Sequence, residues 1–391
     1  MVVVDVVLIA LLLVALLVGV QRGLLASLGV LIGIVLGGVA AFWLVPIVND
    51  VWPWQNSRVV VVIGLAIALL IGGAAAGGAI GGALRRGVER SAPLRVVDRV
   101  LGGVLAVLAG ALSLSLIASS VAATGMPGLS TALSSSQVLR TIDALTPRPV
   151  AETLARVRSA VLDDGLPQLG VLLDLDVQPT APPVALDDPE LTAAAASVAR
   201  VSGVAFACGT SASGSGFVIA PDRVVTNAHV VAGVSAPVVE LPGQPAREGR
   251  IVYFDPIDDL ALIAVDDLGA AALGVVEPLT PGTAAVIQGY PYGGPFTMVN
   301  AEVISAGSVF VPDIYGDSSE LRDIYALAAQ VHPGNSGGPL LTADGLVAGV
   351  VFARAETDAD RGYAMTTSEL QPVLAGASGW TSPVSTGSCT G

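Results

Sequence analysis

The stretch QVHPGNSGGPL, residues 330–340, places one serine among glycines and prolines directly before an apolar run. A Gly-rich turn alone is only a turn. A serine hydroxyl becomes an effective nucleophile, however, when a neighbouring base takes its proton and backbone N–H groups stabilise the oxyanion. Because glycines carry no Cβ, the N–H groups of Gly334 and Ser336 can converge on one point. The stretch therefore predicts a nucleophile, Ser336, and an oxyanion hole made of Gly334 and Ser336.

The base for such a serine has few candidates, because the chain contains two histidines and no lysine. His229 stands in VVTNAHVVAG, where a Val-rich run enters a turn of small residues. An orienting carboxylate should follow at the entrance of a strand, and IDDLALIAV offers Asp258 and Asp259 there. The resulting order along the chain is His, Asp, Ser, as in chymotrypsin-type barrels.

The second histidine, His332, lies four residues before Ser336 and has two interpretations. It is either a structural residue at the rim of the turn or a pH sensor beside the nucleophile. The second interpretation is open because an unperturbed imidazole has a pKa of about 6.5.

The region around these motifs reads as an all-β domain. Short Val- and Ile-rich runs alternate with Gly, Pro and Asp turns over residues 196–391, which predicts a sandwich or a barrel. This region is acidic: residues 200–391 hold seven Arg against nineteen Asp and Glu. The charge argues against nucleic acid as a partner, since a basic face is expected there.

Residues 1–124 read as an all-α four-helix transmembrane domain. Four apolar runs, each of about 19 residues or more, can cross a hydrocarbon core of about 30 Å, and they occupy residues 2–20, 23–48, 58–84 and 100–123. A cleaved signal peptide is rejected for the first run, because it lacks a basic n-region and three further runs follow.

Arginine placement predicts the orientation of these spans. Five Arg lie in the loop 85–99, and Arg22 lies in the tight first loop. The positive-inside rule then places both loops in the cytoplasm, so the N-terminus and everything after residue 124 lie on the extracytoplasmic side. Cys208 and Cys389, near the two ends of the acidic region, predict a disulfide in an oxidising compartment, although two separate buried thiols are the alternative.

Two further features concern packing and linkage. Gly73, Gly77 and Gly81 repeat every four residues in the third span, which indicates close helix packing either within the chain or between copies of it. The connector, residues 125–195, predicts a short amphipathic helix within 149–166 and an extended Pro- and Asp-rich linker over 176–191.

Three motifs in order, TNAHVV, DLALIAV and GNSGGPL, are similar to those of trypsin-like serine proteases, and GSGFVIA resembles the HtrA branch. The resemblance implies a chymotrypsin-like double β-barrel over 196–391. It also implies that His229 is the general base, Asp259 its orienting carboxylate and Ser336 the nucleophile.

The four apolar runs with the QRG turn (21–23) resemble the colicin V production membrane domain. The two parts together resemble the membrane-bound acid-resistance serine proteases of actinobacteria, the MarP-like family. This implies a periplasmic endopeptidase that supports survival in acid. It also implies envelope proteins such as cell-wall hydrolases as substrates, and self-cleavage in the connector.

Several expectations complete the functional prediction. We expect neither a cofactor nor a metal, and the oligomeric state stays open. Because Gln330 and Val331 stand where a trypsin-like pocket would need an acid, we expect a small or medium apolar P1 residue. The alternative function is a membrane scaffold or transport protein whose protease-like domain only binds peptides.

Overall fold

The chain folds as two units, a helical one over residues 2–115 and a second one from Leu116 onward. The computed structural model describes residues 2–51, 55–88, 92–123, 128–162, 166–170, 179–205 and 210–390. The helical unit is built from α1 (Val2–Arg22), α2 (Leu24–Val51), α3 (Gln55–Val88) and α4 (Ala92–Ala123), whose last turns extend past the unit.

Helices α1 and α2 of the first unit are rich in apolar residues along their length. Among the described residues, Val3–Arg22 and Leu94–Ala118 are long and apolar enough to cross a membrane, with mean hydropathies of 3.1 and 2.4. Leu24–Ala40 is a shorter apolar stretch. Many large apolar side chains of α1, α2 and α4 are exposed, which is the surface that lipid would cover. The apolar helices agree with membrane association, and the number of spans stays a prediction.

Helices α2 and α3 approach each other through glycines. A Cβ at Gly77 would collide with the carbonyl of Gly29, and one at Gly73 would collide with the carbonyl of Gly33. The backbones can therefore touch, as small residues at this spacing allow in membrane helices. The glycine face of α3 is thus used within the chain, the first of the two interpretations.

An ion pair holds the tight turn between α1 and α2. Arg85 Nη1 donates to the carbonyls of Gln21 (2.7 Å) and Arg22 (2.6 Å), and Asp98 Oδ1 accepts from the Leu25 N–H (3.3 Å). Arg85 Nε lies 3.0 Å from Asp98 Oδ2. Arg85 thus lies at the C-terminal end of α1, where carbonyls lack helical partners. Asp98 lies at the N-terminal end of α2, where N–H groups lack them.

The second unit begins with three connector helices and continues as two sheets. The connector helices are α5 (Leu129–Ser134), α6 (Gln137–Leu145) and α7 (Arg148–Leu162), and α7 covers most of the stretch expected to be helical. The other helices are α8 (Pro189–Ala195), α9 (Ala228–Val231), α10 (Thr367–Gly376) and a 3₁₀ helix at Pro291–Gly293.

The strands of this unit follow in chain order. They are β1 (Gln168–Leu169), β2 (Val198–Ala205), β3 (Thr210–Ala220), β4 (Arg223–Thr226), β5 (Val238–Glu240), β6 (Arg247–Glu248), β7 (Arg250–Asp255), β8 (Leu260–Ala264), β9 (Ala284–Gly289), β10 (Thr297–Pro312), β11 (Ser319–Ala328), β12 (Pro339–Leu341), β13 (Val347–Ala355) and β14 (Arg361–Thr366).

The strands form two curled sheets, each with a buried apolar face. The first has the order β6-β5-β2-β3-β4-β8-β7, and the second β1-β13-β12-β9-β10-β11-β14. Strands β13 and β14 also pair, so six strands of the second sheet form a closed ring of neighbours. Apolar side chains from alternate strand positions fill the interior of each sheet, among them Val201, Ile263, Ile287 and Val351. The second unit is therefore β-rich and chymotrypsin-like.

The linker predicted to be extended over 176–191 is helical at its C-terminal end. Thr180 and Ala181 donate their N–H groups to the Glu302 carboxylate (3.0 and 2.7 Å), so this part lies against β10. From Pro189 the chain is helical, because the Asp188 side chain accepts from the N–H of Glu190 (2.8 Å) and proline suits the first helical position.

Candidate active site

His229 and Asp259 are brought together by the pairing of β4 with β8. His229 lies in the single turn of α9 directly after β4, and Asp259 immediately precedes β8. His229 Nδ1 lies 2.8 Å from Asp259 Oδ2 and 3.0 Å from Oδ1, and Oδ1 also accepts the backbone N–H of His229 (2.9 Å). Of the two adjacent aspartates, the structure thus places Asp259 at the histidine.

Asp258 lies beside Asp255. Its backbone N–H donates to Asp255 Oδ1 (3.1 Å). Burial raises the pKa of the Asp258 carboxyl, and the nearby Asp255 adds to the effect. The environment of Asp258 is thus set by Asp255 rather than by His229.

Asn227 holds the Asp259 backbone, and sequence reasoning missed it. The buried Asn227 amide donates to the Asp259 carbonyl (2.8 Å). Asp259 has a positive φ of 54°, which is uncommon for a residue other than glycine and is held here by its surroundings. The signal was present in TNAHVV, since Asn227 stands two residues before His229.

The predicted oxyanion hole has the backbone of a type II turn. The N–H of Asn335 donates to the carbonyl of His332 (3.0 Å), with Pro333 at the second position and Gly334 at the third with φ +90°. A type II turn requires this left-handed conformation at its third position, which favours glycine. Among the described residues, no protein group accepts from the N–H of Gly334 or Ser336. Both donors are thus available to a developing oxyanion.

Ser215, in the GSGFVIA stretch, holds this turn against β3. Its N–H donates to the Ser336 carbonyl (2.8 Å), and its hydroxyl donates to the Gly334 carbonyl (2.7 Å). The same hydroxyl accepts the N–H of Tyr290 (2.9 Å). These two hydrogen bonds to its carbonyls fix the position of the turn against β3. The resemblance of GSGFVIA to the HtrA branch implies no role for Ser215, since the contact with the turn appears only in the fold.

Ser336 and His229 line one cavity of about 480 Å³, together with Asp259 and Gly334. The Ser336 hydroxyl and His229 Nε2 are buried, and neither has a hydrogen-bond partner within the described chain. His229 and Asp259 are thus joined by hydrogen bonds, whereas His229 and Ser336 are not. Hydrogen bonds of this kind are often long before substrate binds.

Arg322 is a buried cation in the wall of the same cavity. It is 1 % exposed, and its guanidinium lies 5.9 Å from the ring centre of Phe352. It donates to the carbonyls of Val311 and Pro312. Burial lowers the pKa of Arg322, and Asp259 is the acid that opposes this effect most. The sequence offered no signal for this residue, because β11 reaches the site only through the fold.

His332 is packed against Tyr292 at the base of the oxyanion turn. The two rings are stacked with centres 5.2 Å apart, and His332 Nδ1 lies 3.2 Å from the Tyr292 hydroxyl. Burial lowers the pKa of His332, and the positive charges of Arg156 and Arg354 lower it further.

The expected specificity region is apolar. Val331 is buried, and a Cβ at Gly362 would collide with the Val331 side chain. The Gln330 side-chain amide instead donates a hydrogen bond to the Asp360 carboxylate (2.7 Å) at the surface.

The disulfide and the absence of a bound metal both stay predictions. Cys389 lines the cavity, but Cys208 lies outside the described residues, so their disulfide stays a prediction. In the part of the chain that the structure describes, no cluster of three His, Cys, Asp or Glu side chains could hold a metal ion.

Comparison with known proteins gives two family matches. Residues 214–350 match the trypsin-like peptidase domain, and residues 4–147 match the colicin V production protein. The serine protease Rv3671c of Mycobacterium tuberculosis is 38 % identical over 270 residues, which are 67 % of each chain. The crystal structure of the active form of that protease superposes with a TM-score of 0.52 at 39 % identity, and the match covers 57 % of this chain and 100 % of the other.

Proposed function

Because this chain belongs to the family of trypsin-like serine proteases that includes Rv3671c, we propose that it cleaves peptide bonds with a triad of His229, Asp259 and Ser336. One observation carries the proposal. The His229–Asp259 pair and the type II turn of Gly334 line the same cavity as the Ser336 hydroxyl.

In the proposed mechanism each group has a separate step. Asp259 accepts from His229 Nδ1, which leaves Nε2 free to take the Ser336 proton as Oγ attacks the carbonyl carbon. The negative charge that develops on the carbonyl oxygen is met by the N–H groups of Gly334 and Ser336, and losing one such donor costs about 3–4 kcal/mol of barrier. His229 then gives the proton to the leaving amine, and water hydrolyses the acyl-enzyme by the same route.

The proposal extends to the setting of the reaction. We place four spans in the membrane and the protease domain, a double β-barrel, on the extracytoplasmic side. Support comes from the colicin V match, the apolar helices and the arginine-rich loop. Envelope proteins, including cell-wall hydrolases, are the proposed substrates, and acid or stress resistance the proposed role. The buried Val331 supports an apolar P1 residue, and self-cleavage in the connector belongs to the same proposal.

The test uses a fluorophosphonate probe on the full chain in detergent micelles. We expect Ser336→Ala to abolish labelling, and Asp259→Asn to reduce peptide hydrolysis by about 10⁴-fold, the size of effect that loss of the orienting carboxylate has in trypsin. Asp258→Asn is the matched control, since it changes the neighbouring carboxylate, and it should retain most activity.

If the wild type binds peptides but takes no label, the domain is a peptide-binding scaffold and the proposed function is wrong. Equal losses in the Asp258 and Asp259 variants would overturn the assignment of Asp259.

A further inference from the structure

A short piece of the connector lies along the strand that follows the nucleophile. Strand β1 pairs parallel with the end of β13, with Gln168 opposite Arg354. The Arg354 N–H donates to the Pro167 carbonyl (3.2 Å), and the Glu356 N–H donates to the Leu169 carbonyl (2.9 Å). These two strand-edge donors are therefore occupied by the chain itself.

The same segment covers the cavity of the catalytic groups. Leu166, Pro167 and Leu169 line that cavity together with Ser336 and His229. Leu166 is 7 % exposed and belongs to the apolar cluster of Val331 and Val351. A peptide that docks in extended form by adding a strand to a free edge would need the place that this segment holds.

The segment does not engage the catalytic groups. Within the described part of the chain, the Ser336 hydroxyl has no hydrogen-bond partner, and no group accepts from the N–H of Gly334 or Ser336. No carbonyl of the segment is thus seated in the oxyanion turn. The segment thus lines the cavity without being placed for cleavage.

Helix α7, which leads into the segment, is itself docked beside the oxyanion turn. Ala155 is buried, and a Cβ at Gly294 would collide with it, so α7 packs next to the 3₁₀ helix Pro291–Gly293. The N–H of Tyr292 in that helix donates to the Pro333 carbonyl (2.5 Å). The segment is therefore attached to the protease unit at two places, the edge of β13 and the support of the turn.

We propose that residues 166–170 are an autoinhibitory segment, and that an extended substrate must displace it from the Arg354–Glu356 edge before cleavage. The proposal rests on the proposed protease function. Displacement would leave the contact between Ala155 and Gly294 in place, because residues 166–170 take no part in that contact.

The test compares two leucine-to-aspartate variants of the full chain in detergent micelles. Leu166→Asp places a charge in the apolar cluster and should release the segment. Leu145→Asp makes the same change in the connector at a leucine that is 78 % exposed. If the open form is about a tenth of the population or less, we expect Leu166→Asp to raise kcat/KM for an eight-residue peptide by at least about tenfold. The control should leave it unchanged.

Labelling by a small fluorophosphonate separates two kinds of failure. If both variants and the wild type are labelled, and all hydrolyse the peptide equally fast, autoinhibition is wrong while the protease function stands. If none is labelled, the protease function fails and the proposal fails with it.

A measurement on the wild type alone covers the case in which Leu166→Asp does not fold. A peptide aldehyde that binds the cleft should inhibit slowly, and its rate of onset should reach a plateau with concentration, because opening of the segment becomes limiting. Hydrogen exchange at Leu169, whose N–H lies on the same side as the carbonyl that bonds Glu356, should become faster in the inhibited protein. Onset that stays proportional to aldehyde concentration, with unchanged exchange, overturns the proposal.

Discussion

His332 lies between two arginines that come from distant parts of the chain. Arg156 belongs to α7 and Arg354 to the end of β13, and both charges lower the pKa of His332 together with its burial. Protonated His332 would thus be repelled by both guanidinium groups. A proton on His332 would thus face positive charge from α7 and from β13 at once.

The first prediction concerns His332→Gln. The folded pKa lies below the unfolded value of about 6.5, so the unfolded chain binds more protons in the window between them. The free energy of unfolding of the wild type should therefore fall as the pH drops from about 6.5 to the folded pKa, and change no further from this group below it. The variant should lack this loss. Thermal unfolding of the full chain, followed by the β-sheet circular dichroism signal, measures the difference.

Peptide hydrolysis over the same pH range gives the functional counterpart. If protonation loosens the connector, the wild type should gain activity relative to the variant as the pH falls through the window. Superimposable pH profiles for stability and activity would leave His332 with a structural role only.

The sequence predicts those site residues that stand in a short motif, but not those that reach the site from a distant strand. Ser336, Gly334 and His229 stand in motifs whose chemistry is visible in a few letters. Ser215 and Arg322 act across strands, since the first reaches the oxyanion turn from β3 and the second reaches the cavity from β11. No periodicity in the chain reports such contacts, because they follow from sheet closure.

The ends of individual helices, and the helices they pack against, were also only partly predictable from the sequence. The stretch 85–99 reads as a loop because of its charges, yet α3 continues to Val88 and α4 begins at Ala92. A helical backbone is compatible with these charges because Arg85 and Asp98 form an ion pair. Both side chains also make hydrogen bonds to backbone groups at the ends of α1 and α2. The glycine repeat was readable in the sequence, but its partner on α2 was not, since the repeat indicates close approach without naming the neighbour.

The second prediction concerns the contact between α2 and α3. Gly77→Val should collide with the Gly29 carbonyl, and overpacking of this kind typically costs about 1–3 kcal/mol. Gly82→Val is the matched control on the same helix, because a Cβ there meets nothing within 4 Å. Melting of the purified full chain in detergent, followed by helical circular dichroism, should fall for the first variant and not for the second. Equal melting of both variants would show that this glycine contact contributes no stability.

Charge is distributed unevenly over the whole molecule. Residues 1–124 hold seven Arg against four acids, whereas residues 200–391 hold seven Arg against nineteen. Translocation disfavours arginines in short loops close to a span, while acidic residues affect orientation little. The basic loop 85–99 and the acidic protease region should therefore lie on opposite sides of the membrane, which also places both cysteines where a disulfide can persist.

The third prediction tests this arrangement with reporter fusions in a bacterial host. Alkaline phosphatase, which folds only outside the cytoplasm, should be active after residue 391 and inactive when inserted at residues 89–91. A cytoplasmic reporter such as β-galactosidase should show the reverse pattern at the two positions. The paired reporters control for expression, because a fusion that is merely degraded is silent with both. Active phosphatase at 89–91 would place the arginines outside, and an active cytoplasmic reporter after residue 391 would place the protease unit in the cytoplasm. Either result would contradict the proposed topology, and the second would also remove envelope proteins as substrates.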